Sequence, residues 1–212
     1  MAESTLSFDT PEALSPFLRR TDSDPRPVVM MTCGLAGSGK SSLSKWILSS
    51  HPSFKRLSID SYIYTKYGLY GLDYPQDKYN KYQNEAESAL RHELVQLLRQ
   101  GCQDVILDFS FAFQETRNQW KKLIEESGGR WVLSYLDVGA DELRRRVRAR
   151  NQLAVKDGDS AFFVTNEILE SYIAGFEGPT GEGEIVLNFD TVSRTKDREN
   201  MSVGGKTQSY VM

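Results

Sequence analysis

The sequence predicts an α/β protein built on a parallel sheet with helices covering both faces. Short β-branched or apolar runs recur at residues 28–33, 56–60, 105–109, 131–138 and 184–190. They are continuous rather than alternating, the pattern of strands buried on both faces. Between them lie stretches with a helical apolar period, and this strand–helix alternation belongs to three-layered, doubly wound sheets.

The 212 residues suit one domain, and 39% hydrophobic with 26% charged residues describes a globular chain able to bury a core. No apolar run approaches the roughly 20 residues that span a bilayer. Glu3, Asp9 and Glu12 occupy the start, with no apolar stretch resembling a signal peptide. A net charge of −3 provides no broad electrostatic footprint for nucleic acid. Two cysteines, Cys33 and Cys102, are too few for an oxidised scaffold. A cytoplasmic protein with both thiols reduced, buried and inert is expected.

Residues 1–27 are polar and carry Pro11, Pro16, Pro25 and Pro27, so a flexible lead-in is expected. Residues 28–190 form the domain. Beyond it, residues 191–212 lose apolar density and are expected to be a disordered tail. Ala86, Ala89, Leu90, Leu94, Leu97 and Leu98 make one helical stripe, ended by Gly101. Trp120, Leu123 and Ile124 make another, closed by Gly128 and Gly129.

Gly34-Leu35-Ala36-Gly37-Ser38-Gly39-Lys40-Ser41 fits G-x-x-x-x-G-K-[ST] in full, between a predicted strand and a predicted helix that begins around Ser42. Glycines at these positions allow positive φ values, which turn successive backbone N–H groups onto phosphates. The helix adds its N-terminal dipole. Residues 34–42 therefore form a binding site for ATP, with Lys40 on the β and γ phosphates and Ser41 on Mg²⁺.

Two predicted strands end in carboxylates. Val105-Ile106-Leu107-Asp108 has the pattern of an acid that holds Mg²⁺, and Arg56-Leu57-Ser58-Ile59-Asp60 ends likewise. Ligands of open parallel sheets bind at the carboxyl ends of the strands, so both acids converge on the loop. Asp108 is assigned to the metal and Asp60 to a general base; the plainer alternative for each is a helix cap.

Residues 144–150 hold five arginines. Leu143 and Val147 mark the inner face of that helix, which places Arg146 and Arg150 on its flank, Arg144 and Arg148 on the far flank, and Arg145 toward water. Arg146 and Arg150 are candidates for clamping phosphate and stabilising transition-state charge. Arg117, one turn before Trp120, is a candidate for a substrate or phosphate contact. Tyr62, Tyr64, Tyr67, Tyr70, Tyr74, Tyr79 and Tyr82 crowd the segment after Asp60; they either line an acceptor pocket or pack between helices.

The ordered features are the glycine loop, Ser58-Ile59-Asp60, Tyr67-Gly68, Gly101 leading to Asp108, Arg117, and Leu143-x-x-Arg146-x-x-x-Arg150-Asn151. Together they resemble a group of single-domain P-loop kinases, often catalogued as AAA-domain ATP-binding proteins and similar to zeta toxins and chloramphenicol phosphotransferase. The resemblance covers residues 28–190. It implies a five-stranded parallel core, an acceptor-activating Asp60 and a lid bearing Arg146 and Arg150. It also implies that Phe176-Glu177-Gly178-Pro179 leads into the last strand. Gly178 stands where that group often has a second proline, and Phe109-Ser110 replaces a His-Gly or a Thr.

The leading expectation is a kinase that moves the γ-phosphoryl group of Mg·ATP to a hydroxyl of a small-molecule acceptor. A polynucleotide 5′-kinase would share the loop, the base and the arginines, but the overall acidity argues against nucleic acid. A regulatory ATP-binding protein or an ATPase without acceptor would leave Asp60 and the tyrosine segment without purpose.

Overall fold

The computed structural model describes residues 6–8, 10–153 and 156–188. Its strands are β1 (Leu6–Phe8), β2 (Val28–Cys33), β3 (Phe54–Ser58), β4 (Asp104–Asp108), β5 (Arg130–Asp137) and β6 (Glu184–Asn188). Its helices are α1 (Lys40–Ser50), α2 (Ile59–Tyr67), α3 (Tyr79–Gln100), α4 (Gln114–Glu126), α5 (Ala140–Asn151) and α6 (Asn166–Gly175). The strands form one sheet in the order β1-β6-β5-β2-β4-β3, and every neighbouring pair is parallel.

All six residues of β2 are buried, which is why its apolar run is unbroken. Val29, Met31 and Cys33 join the stripe residues of α3 and α4 on one face. Val28 and Met30 join Leu43 and Ile47 of α1 on the other. Both predicted stripes lie inward, and Gly101 closes α3 with φ 71°, a left-handed cap that glycine adopts at little cost.

The expected five-stranded parallel core is present as β2–β6. The sequence reading needs three corrections around it. First, the expected flexible lead-in carries a sixth strand, Leu6–Phe8, which pairs with β6 in register Leu6↔Ile185. Residues within 10–27 are anchored too: Leu14 and Leu18 are buried against α1, and Arg20 bonds the Asp104 carboxylate (2.8 Å) and the Gly101 carbonyl (2.5 Å). Prolines and charges concealed two apolar side chains spaced one helical turn apart. Second, β3 ends at Ser58, so Asp60 sits in the first turn of α2 rather than at a strand end. Third, Cys33 is buried but Cys102 is exposed. The expected tail, residues 191–212, lies outside the described residues.

Candidate active site

The loop between β2 and α1 is shaped by its glycines. Gly34, Gly37 and Gly39 have φ values of 152°, 84° and 106°. A Cβ on Gly37 would stand 3.1 Å from Val147 Cγ2 and 3.3 Å from the Leu143 carbonyl, so helix α5 rests directly on the loop. Lys40 Nζ donates to the Leu35 carbonyl at 2.9 Å, and the loop thereby holds its lysine over its own concavity. Enclosure lowers the Lys40 pKa, while Asp108 and Asp60 act to raise it. Leu35, Ala36, Gly37, Gly39, Lys40, Ser41 and Ser42 line a cavity of about 1,380 Å³. Gly34 and Ser38 stand behind it, with the Ser38 hydroxyl buried and Gly34 N–H bonded to the Ser110 carbonyl at 3.0 Å.

Asp60 and Asp108 both line this cavity, together with Arg146 and Arg150. Ser58, not Asp60, caps α2: its hydroxyl accepts from Ser61 N–H at 3.3 Å. The Asp60 carboxylate makes no hydrogen bond among the described residues. Asp60 is exposed at the cavity surface. Loss of hydration beside the cavity walls still acts to raise its pKa, Lys40 pulls it down and Asp108 pushes it up again.

Asp108 is held differently. Its Oδ2 accepts from Arg56 Nε at 2.9 Å and from Arg56 Nη2. The same Nη2 donates to Asp159, and Asp159 pairs with Lys45 at 2.6 Å. Asp159 belongs to the segment joining α5 to α6, so this chain of charges ties that segment to β3, β4 and α1. Arg56, Lys45 and Asp159 carried no signal in the sequence, because their meeting depends on three separate elements. Oδ1 of Asp108 has no hydrogen bond among the described residues. With the Ser41 hydroxyl in the same cavity, the donor set of one carboxylate oxygen and one hydroxyl suits Mg²⁺.

The arginine helix follows its geometry. Leu143 and Val147 are buried, Arg145 is exposed and paired with Glu142 at 2.6 Å, and Arg144 pairs with Glu170 and Asp141. Arg146 Nε also bonds Glu142 at 2.7 Å, and its Nη1 approaches the Gly37 and Ser38 carbonyls at 3.5 and 3.4 Å. Arg150 Nε is buried with no partner among the described residues, and enclosure lowers the Arg150 pKa while Asp60 acts to raise it.

Arg117 does not reach the cavity, which corrects its assignment to the site. Its Nε and Nη2 grip Glu182 at 2.8 and 2.5 Å, and its Nη1 donates to the Phe111 and Glu177 carbonyls, both at 2.8 Å. The residue is 1% exposed. Its work is to fasten the chain before β6 to the loop after β4. That loop is strained: Phe111 has φ 45°, which costs a residue with a Cβ about 1 kcal/mol or more. The Cys33 thiol, its pKa pushed by burial to about 12, also donates to the Phe111 carbonyl at 3.3 Å.

The tyrosine segment divides. Tyr67 and Tyr82 stack with centroids 3.6 Å apart, Tyr74 is buried against them, and Tyr62 and Tyr67 bond Glu85. Those four pack between α2 and α3. Tyr70 and Tyr79 instead line the cavity, and Phe162 from the α5–α6 segment lies over both, at 4.5 and 4.4 Å.

A parallel sheet with a glycine loop between β2 and α1, and with Asp108 at the end of the neighbouring strand β4, defines a P-loop NTPase. The chain belongs to the AAA domain family, whose profile matches residues 29–179. It is similar to a candidate kinase from Chloroflexus aurantiacus at 15% identity and TM-score 0.62, covering 84% of this chain and 98% of that one. Kti12 from Chaetomium thermophilum, solved with ADP-AlF3, is similar at 14% identity and TM-score 0.56, covering 84% and 100%. A chain of the Pnkp1/Rnl/Hen1 RNA repair complex is similar at 18% identity and TM-score 0.53 over 72% of this chain; the match spans 47% of that longer chain, about half its length. At these identities the likeness shows the fold. No curated protein matches the chain. Among the described residues, no helix is long and apolar enough to cross a membrane.

Proposed function

We propose that this P-loop protein transfers the γ-phosphoryl group of ATP to a hydroxyl of a small-molecule acceptor. The observation that carries the reading is Asp60: a carboxylate without a hydrogen bond, in the same cavity as Lys40, Asp108 and Arg150. A carboxylate with a raised pKa can take the proton of an attacking hydroxyl, and the cavity of about 1,380 Å³ beside it supplies the space for an acceptor next to the nucleotide. Such a group suits a general base, which contributes typically 10²–10⁴-fold.

Mg·ATP supplies the transferable group and the cation that offsets its charge. The glycine loop binds the phosphates through backbone N–H groups, and Lys40 adds a positive charge beside them. Ser41 and Asp108 Oδ1 would hold the metal, and Arg56 fixes the orientation of the Asp108 carboxylate. Asp60 accepts the acceptor's hydroxyl proton as the new O–P bond forms and the bond from the γ-phosphorus to the bridging oxygen of ADP breaks. Arg150 donates its unpartnered Nε–H to charge that develops on the transferring group, and Arg146 braces the loop against the lid helix. The Asp159 chain of charges ties the lid segment to β3, β4 and α1 beside the cavity.

Asp60→Asn tests this directly. Mg·ATP affinity, measured by titration calorimetry, should stay within about threefold, while acceptor-dependent ADP formation falls about 10²-fold or more. Acceptor-dependent turnover that survives the substitution removes Asp60 from the chemistry.

A further inference from the structure

The Asp108 carboxylate is held unevenly. Arg56 sends both of its bonding groups, Nε at 2.9 Å and Nη2 at 2.5 Å, to Oδ2, and Oδ1 accepts no hydrogen bond among the described residues. An unshared guanidinium often grips a carboxylate as a fork, with one N–H to each oxygen. Here Nη2 also donates to Asp159, whose other oxygen pairs with Lys45 at 2.6 Å. Arg56, its side chain 16% exposed, is thus shared between two acids. Asp159 is presented by a turn with a fixed shape. Asp157 Oδ1 accepts from Asp159 N–H at 3.1 Å and from the Ser160 hydroxyl at 2.8 Å, and Ser160 Oγ accepts from Asp157 N–H at 2.9 Å. A Cβ on Gly158 would stand 3.2 Å from Ser61 Oγ and 3.3 Å from Ser61 Cα, so the turn rests on the start of α2. Docking of this turn sets where Asp159 stands, and Asp159 sets how Arg56 meets Asp108.

We infer that Asp159 is a positioning residue for the metal: by holding one edge of Arg56 it keeps Asp108 Oδ1 open to Mg²⁺, so that docking of the 157–160 turn and metal binding favour one another. The inference rests on the proposed assignment of Mg²⁺ to Asp108 and adds the regulation of that site. With the turn undocked, Arg56 loses one of its two acids and is free to close on both oxygens of the other, where it competes with the cation for Oδ1. With the turn docked, Nη2 is divided between the acids and Lys45 is neutralised by the same Asp159 carboxylate. Because turn and metal act on one guanidinium, each shifts the other's equilibrium by the same factor.

Metal titration and hydrogen exchange test this on the intact protein carrying a substoichiometric amount of a non-hydrolysable ATP analogue. Mn²⁺ is the probe, and protein-bound metal is read from water-proton relaxation. Asp159→Asn should weaken Mn²⁺ binding about tenfold or more. Metal should raise the amide protection of residues 156–165 in the wild type and do so much less in Asp159→Asn. In an Arg56→Gln background, Asp159→Asn should change Mn²⁺ affinity by less than about twofold. A loss that persists in that background would mean that Asp159 acts on the cation by its charge alone, and overturns the inference. If Arg56→Gln does not fold, the exchange measurement decides, and protection that ignores the metal in the wild type overturns the inference equally. Asp108→Asn separates this result from the metal assignment. Unchanged Mn²⁺ affinity in that variant removes Asp108 from the metal, and the coupling with it. A loss at Asp108→Asn beside an unaltered Asp159→Asn overturns the coupling alone.

Discussion

Arg117 and Arg150 are guanidinium groups largely enclosed by protein, each a turn or less from an apolar helix stripe, and they have opposite surroundings. All the donors of Arg117 that bond are spent on fixed oxygens: two on Glu182, two on backbone carbonyls. Arg150 keeps a buried Nε–H with no partner among the described residues, on the wall of a cavity that also holds Lys40 and Asp60. A buried charge is tolerated only when its donors are satisfied. Arg117 meets that condition within the fold, so it belongs to stability. Arg150 leaves that Nε–H donor unmet within the described fold, which supports the role in the chemistry proposed for it. The type and helical position of a residue do not separate the two cases; the inventory of nearby acceptors does.

Substitution can break the contrast, and the largest effect is expected at Arg117. Arg117→Met leaves Glu182, whose side chain is 7% exposed, with only Lys121 at 3.5 Å, strips the Glu177 carbonyl of its donor and leaves the Phe111 carbonyl with the Cys33 thiol alone. Removing one partner of a buried pair costs about 3 kcal/mol or more, so chemical denaturation should show a loss of that size. Turnover per folded molecule should change little. A stable Arg117→Met protein with lost turnover would return Arg117 to the site.

Arg150→Ala should do the opposite. An arginine that meets charge mainly in the transition state should lower kcat by at least about tenfold, with little change in ATP affinity and no loss of melting temperature. Arg146→Ala should also lower kcat by at least about tenfold, because Arg146 braces the loop through the Gly37 and Ser38 carbonyls. A drop in melting temperature at Arg150→Ala, with kcat unchanged, would erase the distinction drawn above.

Asp60 sharpens the comparison through pH. Its pKa is raised in the folded chain, chiefly by loss of hydration beside the cavity walls. A raised folded pKa means that the group's contribution to stability is fully present below its unfolded pKa and is lost as pH rises through the folded one. Asp60→Asn should therefore raise the melting temperature of the ligand-free protein at neutral pH, and the gain should vanish in acid. For wild type, the acid limb of the pH–kcat/KM profile, which reports the free enzyme, should lie above the range of an ordinary exposed carboxylate. An acid limb at or below that range would remove Asp60 as the titrating base. The smallest effect is expected at Arg145, 67% exposed and paired only with Glu142, where Arg145→Ala should change turnover by less than about twofold. Equal effects at Arg145 and Arg150 would mean that the whole run is a solvated face.

Much of this architecture is legible in sequence for a local reason. The glycine loop, the two-sided apolar strands and the α3 stripe are each written within about twenty consecutive residues, because backbone φ preference and burial period act at that range. The inner face of α5 belongs with them, since Leu143 and Val147 alone orient Arg145 and Arg146. Asp60 was found as an acid near the loop but misplaced by two residues of strand, because the Ser58 cap starts α2 earlier than the apolar run suggests. Leu6–Phe8 was hidden for a different reason: a three-residue edge strand exists only because β6 offers it a partner.

Sequence alone determined that a nucleotide phosphate site lies between the apolar strand at 28–33 and the helix that follows it, and which face of the arginine helix turns inward. Tertiary structure decided the rest. It spent Arg117 on Glu182, 65 residues away, linked Asp108 through Arg56 to Asp159, and divided the tyrosines between packing and cavity wall. These outcomes depend on which donors and acceptors meet across the fold. A charged side chain takes its role from whether its partners are already present in the folded chain or must arrive with the ligand, and sequence spacing carries no record of that.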